Sequence, residues 1–255
     1  MIKFVRKTGI ITKGIVYSLI GVLTFLAAIN FGGKISGKNE VITFLQEQLF
    51  GAILLIILSL GLYAYSFWKF YSAFLDGKKE GTDKAGILKR IGYFFSGLIY
   101  GFFSTSIILK VFSLSSNSNT KQSVTQNLMS SNGGVIILYI VAVILAAVGI
   151  YQIYKGYTKS FLDDIKISSK IESKKMLEKV GYFGFIARGI SFLIFAFFVF
   201  TALNNNQTHA VRGLEGVFNF LQTFTWGNIL MGIMSLGFLC YGIYQYFLAR
   251  YSSIY

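Results

Sequence analysis

Six long apolar stretches separated by polar connectors dominate the chain. They run near Ile10 to Ile29, Phe50 to Phe70, Ile91 to Phe112, Gly133 to Tyr154, Tyr182 to Leu203 and Trp226 to Leu248. Each reaches the roughly 20 residues that a helix needs to cross a hydrocarbon core about 30 Å thick. Backbone inside a bilayer must satisfy its hydrogen bonds internally, and strict period-two alternation is missing, so the spans are predicted as helices and not barrel strands. The connectors Phe31 to Asn39, Asp76 to Lys89, Ser113 to Ser123 and Lys155 to Lys179 are rich in Gly, Ser, Asn or charge and read as loops. The predicted fold class is an all-α membrane protein of six transmembrane helices.

The spans repeat. Gly9-Ile-Ile-Thr-Lys13-Gly14-Ile-Val-Tyr17 aligns with Gly92-Tyr-Phe-Phe-Ser96-Gly97-Leu-Ile-Tyr100 and with Gly184-Phe-Ile-Ala-Arg188-Gly189-Ile-Ser-Phe192. Each copy opens an odd-numbered helix. Phe44-Leu45-Gln46 recurs as Phe220-Leu221-Gln222, Ser59-Leu60-Gly61 as Ser235-Leu236-Gly237, and Tyr65 as Tyr241, while Gly51, Gly134 and Gly227 open the even-numbered helices. From Gly14 to Gly189 and from Gly51 to Gly227 the displacement agrees within one residue. Repeated self-similarity of this kind marks a repeat architecture. The chain therefore divides into repeats 1–85, 86–177 and 178–255 of a single membrane domain. Because each repeat crosses twice, the copies are parallel and related by a pseudo-three-fold axis along the membrane normal, unlike inverted transporter repeats.

Between the helices of each repeat lies a short amphipathic segment. Val41, Phe44, Leu45 and Leu49 form one apolar stripe, Leu214, Val217, Phe218 and Leu221 another, and Val124 and Leu128 a weaker middle copy. Such segments are expected to lie in the membrane interface.

Composition sharpens this picture. The chain is 54% hydrophobic and only 13% charged, about half the charged fraction of an ordinary soluble domain. Its net charge of +14 would suit nucleic acid if it were spread over a soluble surface. Every Lys and Arg except Lys34, Lys38, Lys110, Lys121 and Arg212 instead falls on one side of the predicted topology. Positive charge marks the cytoplasmic side, which places both termini there and assigns the basic residues to orientation and to anionic lipid. The expected location is the cytoplasmic membrane of a bacterium, with membrane lipids and another membrane protein as candidate partners and no nucleic acid. The repeat also marks the first span as a retained helix and not a cleaved signal peptide.

The motif Gly184-Phe-Ile-Ala187-Arg188-Gly189, followed three residues on by Phe192, resembles the bacterial membrane family catalogued as domain of unknown function 1206. Lys13 replaces the arginine in the first copy, and Ser96 departs from the pattern in the second. The resemblance covers nearly the whole chain. It implies fold and membrane location, and no activity.

Chemistry is sparse. Cys240 and His209 stand alone, so no disulfide or metal cluster can be assembled. The ten acidic residues fall in loops or linkers, and catalytic residues, cofactors and metals are not expected. Charge inside a membrane is a functional hypothesis by default, so Lys13, Ser96 and Arg188 are the candidate anion or lipid-headgroup site. The plainer expectation is that Lys13 and Arg188 snorkel, since Arg188 lies only about 12 Å beyond Val180 along a helix. Gln152 and Gln245, each following a tyrosine, are candidate polar interhelical contacts. Gly97 with Gly101, Gly14 with Ser18 and Ala142 with Ala146 are expected to pack helices closely. Tyr63, Tyr65, Trp68, Tyr151, Tyr154, Trp226, Tyr241 and Tyr244 are expected to form interfacial belts. Proline is absent, so no span carries a proline kink. The expected function is a non-enzymatic scaffold or accessory subunit that binds lipid or a membrane partner. The alternative is a carrier or channel for a small solute, an anionic one among the candidates.

Overall fold

A computed structural model describes residues 2–31, 38–78, 80–112, 132–165, 174–204 and 214–251. The spans form helices α1 (Ile2–Ala28), α3 (Gly51–Phe74), α4 (Lys84–Val111), α5 (Asn132–Tyr157), α6 (Lys174–Asn204) and α8 (Gly227–Tyr251). All six are long and apolar enough to cross a membrane, and the protein is an all-helical, multi-pass membrane protein. Two short helices, α2 (Lys38–Gln46) and α7 (Leu214–Gln222), and a 3-10 turn over Ser160–Asp164 complete the described elements.

The odd-numbered spans of the repeats start about two turns before hydropathy places them, at Ile2, Lys84 and Lys174. Their first turns carry charge on one face and packing groups on the other, which a hydropathy window averages away. The Arg6 guanidinium lies 5.4 Å from the Trp68 ring centroid, and Leu177 is buried. Asp83 caps α4, its carboxylate accepting a hydrogen bond from the Gly86 amide at 3.2 Å.

The contacts between repeats are equivalent three times over: α3 packs on α4, α5 on α6, and α8 on α1. Helices in lipid gain little hydrophobic energy by pairing, so they associate where small residues let backbones approach. Gly14, Gly97 and Gly189 supply that approach at all three interfaces. A Cβ on Gly242 would lie 2.9 Å from the Gly14 carbonyl oxygen, and one on Gly149 2.9 Å from that of Gly189. At the remaining interface Ser66 donates a hydrogen bond to the Gly97 carbonyl at 2.7 Å.

Within repeats the pattern breaks. α1 packs on α3, and α6 on α8, but no comparable packing joins α4 to α5. The six spans thus run in chain order around a pseudo-three-fold ring that is open in the middle repeat. Sequence accounts for the opening. A Cβ on Gly9 would lie 2.5 Å from the Tyr65 Cα, and one on Gly184 2.7 Å from the Tyr241 Cα, whereas Gly92 has nothing within 4 Å. Gly61 meets Thr12 and Gly237 meets Ala187 in the outer repeats. The corresponding middle pair is Phe95 and Ile144, 54% and 49% exposed, and two bulky side chains leave no small residue at which the backbones could approach.

Two expectations change here. α2 and α7 pack on the bundle and do not merely lie in an interface, since Val41, Ile42, Val217, Phe218 and Leu221 are buried in it. Leu49 falls beyond the end of α2 and is exposed. Val124, Leu128, His209, Arg212 and the side chain of Leu214 lie outside the described residues.

Candidate functional site

Lys13 sits one turn after Gly9 on the inner face of α1, and is buried. Its ammonium donates to the Tyr241 hydroxyl at 2.9 Å and to the Tyr65 hydroxyl at 3.2 Å. The same Nζ lies 5.0, 5.7 and 5.2 Å from the ring centroids of Tyr65, Tyr100 and Tyr241. Ring faces carry negative potential, so the aromatic wall lowers the cost of burying the cation.

Arg188 repeats the arrangement two copies later. Its guanidinium donates to the Tyr241 hydroxyl at 2.5 Å and lies 4.8, 5.6 and 5.2 Å from the rings of Tyr241, Tyr17 and Phe192. A rule follows for both outer repeats. The basic residue of the odd helix stands over the tyrosine of its own even helix and the aromatic residue that opens the next repeat. Lys13 uses Tyr65 and Tyr100; Arg188 uses Tyr241 and Tyr17.

The middle repeat breaks the rule twice, with Ser96 at the basic position and Val148 at the tyrosine position. Ser96 nonetheless borders the network, its side chain standing beside Tyr65. Gln245 stands beside Tyr241, one helical turn further along α8. Lys13, Ser96, Arg188 and Gln245, scattered over the sequence, therefore meet around two tyrosine hydroxyls. Gln245 does so along its own helix, and its interhelical role is packing: a Cβ on Gly14 would lie 3.2 Å from the Gln245 Cβ. Gln152 stays apart, with its carboxamide oxygen buried and unpartnered among the described residues.

Snorkelling does not describe Lys13, which points inward to Tyr65 and Tyr241 and is 5% exposed. The belt expectation divides as well. Tyr151, Tyr154 and Trp226 face outward, whereas Tyr65, Trp68, Tyr241 and Tyr244 are buried inside the ring. Small residues pack as expected at Gly14, Gly97 and Ala142.

Sequence reasoning missed a second layer at the basic end of the bundle, where the termini and charged linkers gather. Lys69 is part-buried, its ammonium 4.4 Å from the Tyr93 ring centroid and 5.5 Å from that of Tyr65. The 3-10 turn folds back beneath it. Phe161 is fully buried, 5.3 Å from Phe185 and 5.4 Å from Tyr244 by ring centroids, and its carbonyl accepts from the Tyr244 hydroxyl at 2.9 Å. Anchored so, the turn brings the Asp164 carboxylate 2.7 Å from the Lys155 ammonium and 3.7 Å from that of Lys78. Burial alone would raise the Asp164 carboxyl, but Lys78 and Lys155 outweigh it and hold the group below the usual carboxylate range. Burial pulls Lys78 below the usual lysine value, against the opposing pull of Asp164. The only sequence signal for this layer was the charge density of the linker, which is silent about pairing.

Arginine and tyrosine hydroxyls are donors suited to phosphate or carboxylate oxygens. The described residues contain no group of His, Cys, Asp and Glu that could hold a metal ion.

The family described as Domain of Unknown Function (DUF1206) matches three times, over residues 8–76, 91–159 and 183–252, and the chain belongs to that family. The chain is also similar to the "Uncharacterized protein YxxB" of Bacillus subtilis (strain 168), 26% identical over 246 residues that cover 95% of this chain and 88% of the relative. No solved structure matches it.

Proposed function

We propose that this three-copy member of a family of unknown function acts by binding and not by catalysis, holding an anionic headgroup or solute at Arg188, Lys13 and Lys69 inside the ring. The observation that supports this reading best is Arg188. Its Nε is buried and unpartnered, and its polar partner among the described residues is a tyrosine hydroxyl and not a carboxylate. Cations within the membrane usually pair or line a functional path, because desolvation costs several kcal/mol per ion. An oxyanion beside Arg188 and Lys69 would offset that cost.

The protein acts, on this reading, in the cytoplasmic membrane of a bacterium with its basic end in the cytoplasm, as a scaffold or accessory subunit whose ligand is lipid. A membrane protein partner is the other candidate. Carriage of a small anion is the second reading, favoured by the position of the cluster at the centre of three parallel repeats.

Thermal unfolding of the purified chain in detergent tests the site. Inorganic phosphate or phosphatidylglycerol should stabilise the native protein, and Arg188→Gln should abolish that stabilisation. Equal stabilisation of both proteins rejects the site. Phosphate flux into vesicles reconstituted with the chain would favour carriage over static binding.

A further inference from the structure

The opening between α4 and α5 adjoins the basic cluster, and its two ends differ in chemistry. On α4 the positions that face the even helix in the outer repeats are held by Phe95, Ser96 and Ile99; on α5 they are held by Ile144, Val148 and Gln152. Their counterparts on α8 are all buried, whereas Phe95, Ile99 and Ile144 are exposed and Ser96, Val148 and Gln152 only partly covered. Along α5 the polar member, Gln152, lies toward the basic end and Ile144 toward the middle of the membrane, while on α4 Ser96 stands beside Tyr65 between Phe95 and Ile99.

Resting on the anion-binding reading above, we infer that this opening is a lateral groove for one anionic phospholipid, its phosphate reaching Lys69 and Arg188 past Ser96 and its acyl chain lying along Phe95, Ile99 and Ile144. The polarity runs in the sense that a lipid of the leaflet at the basic end requires, with headgroup toward the cations and tail toward the bilayer centre. The weaker helix contact coincides with the replacement of a basic residue by Ser96 and of a tyrosine by Val148, so the middle repeat lacks the cation and the phenol that fill these positions in its neighbours. A second helix is the poorer occupant. Close helix association needs small residues, and the groove presents Phe95, Ile99 and Ile144, between which a flexible chain fits and a helix backbone does not.

Dioleoyl phosphatidylglycerol, dioleoyl phosphatidylcholine and inorganic phosphate, added separately to the full chain in dodecyl maltoside, test the groove by thermal stabilisation. Arg188→Gln should lose the response to phosphatidylglycerol and to phosphate alike; if both responses persist, the anion site itself is wrong. Phe95→Ala combined with Ile144→Gly gives the middle repeat the small residues of its neighbours and lets α4 and α5 close. Phosphatidylglycerol should then bind at least about ten-fold more weakly, the equivalent of two buried methylenes, while the phosphate response remains. Unchanged phosphatidylglycerol binding in that variant overturns the groove and leaves the anion site standing.

A second readout does not depend on closure. Phosphatidylglycerol brominated at mid-chain should quench the added indole of Ile144→Trp more strongly than brominated phosphatidylcholine does. At Phe200→Trp, on an exposed position of α6, the two lipids should quench equally. Equal quenching at position 144 overturns the inference. So does a dimer of the parent chain that the closing variant converts to monomer, which would assign the opening to a second copy.

Discussion

The Lys13 ammonium donates a hydrogen bond to the Tyr241 hydroxyl at 2.9 Å, across 228 residues of sequence. The contact joins the first helix to the last and closes the ring between the first and third repeats. Tyr241 accepts from Arg188 as well, so one phenol links the basic residues of both outer copies.

Removing that hydroxyl should be costly. Tyr241→Phe keeps the ring and its attraction for both cations but deletes the acceptor of two charge-assisted hydrogen bonds, a loss of about 2 to 4 kcal/mol. Tyr244→Phe deletes a single neutral bond to the Phe161 carbonyl and should cost about 1 kcal/mol. Melting temperatures of the two variants in detergent check the order.

Glycines at one repeat position should respond differently in the three copies. Gly9→Ala and Gly184→Ala drive a methyl into backbone of α3 and α8 and should destabilise by about 1 to 3 kcal/mol. Gly92→Ala meets open space and should be neutral or stabilise by up to about 1 kcal/mol through helix propensity. Thermal unfolding followed by far-UV circular dichroism measures all three.

Acid should loosen the basic end through Asp164. Its carboxyl is held below the unfolded value by Lys78 and Lys155, so its contribution is present above an unfolded pKa of about 3.9 and fades as pH falls through the lower folded value. Asp164→Asn should lower the melting temperature at pH 6, and the difference from the parent should shrink toward pH 3. A constant difference over that range would remove Asp164 from the acid response.

Orientation is open to labelling. In a Cys240→Ser background, Thr82→Cys in the second linker should resist a membrane-impermeant maleimide in intact cells, and Ser118→Cys between the third and fourth spans should react. The opposite result would invert the topology that the basic residues imply.

Much of the candidate site was legible. Lys13, Ser96 and Arg188 emerged from repeat alignment, and the aromatic residue of the same motif supplied Tyr17, Tyr100 and Phe192 without any role attached. The tyrosines at 65 and 241 were legible as a repeated pair but not as the acceptors that draw the cations inward. Asp164 and Phe161 were not legible, since a charged linker reads the same whether it is solvated or folded back into the bundle.

By itself the sequence determined the number of spans, their parallel three-fold repetition and the asymmetry of basic charge, because these follow from local hydropathy and register. Tertiary structure alone decided that the ring stays open between α4 and α5 and that Lys13 turns inward to Tyr241. The physical reason is that a membrane helix is apolar toward lipid and toward protein alike. Hydropathy therefore cannot tell a face that packs from one that meets acyl chains, and only the fit of Gly9 against Tyr65, or of Gly92 against open space, makes the distinction.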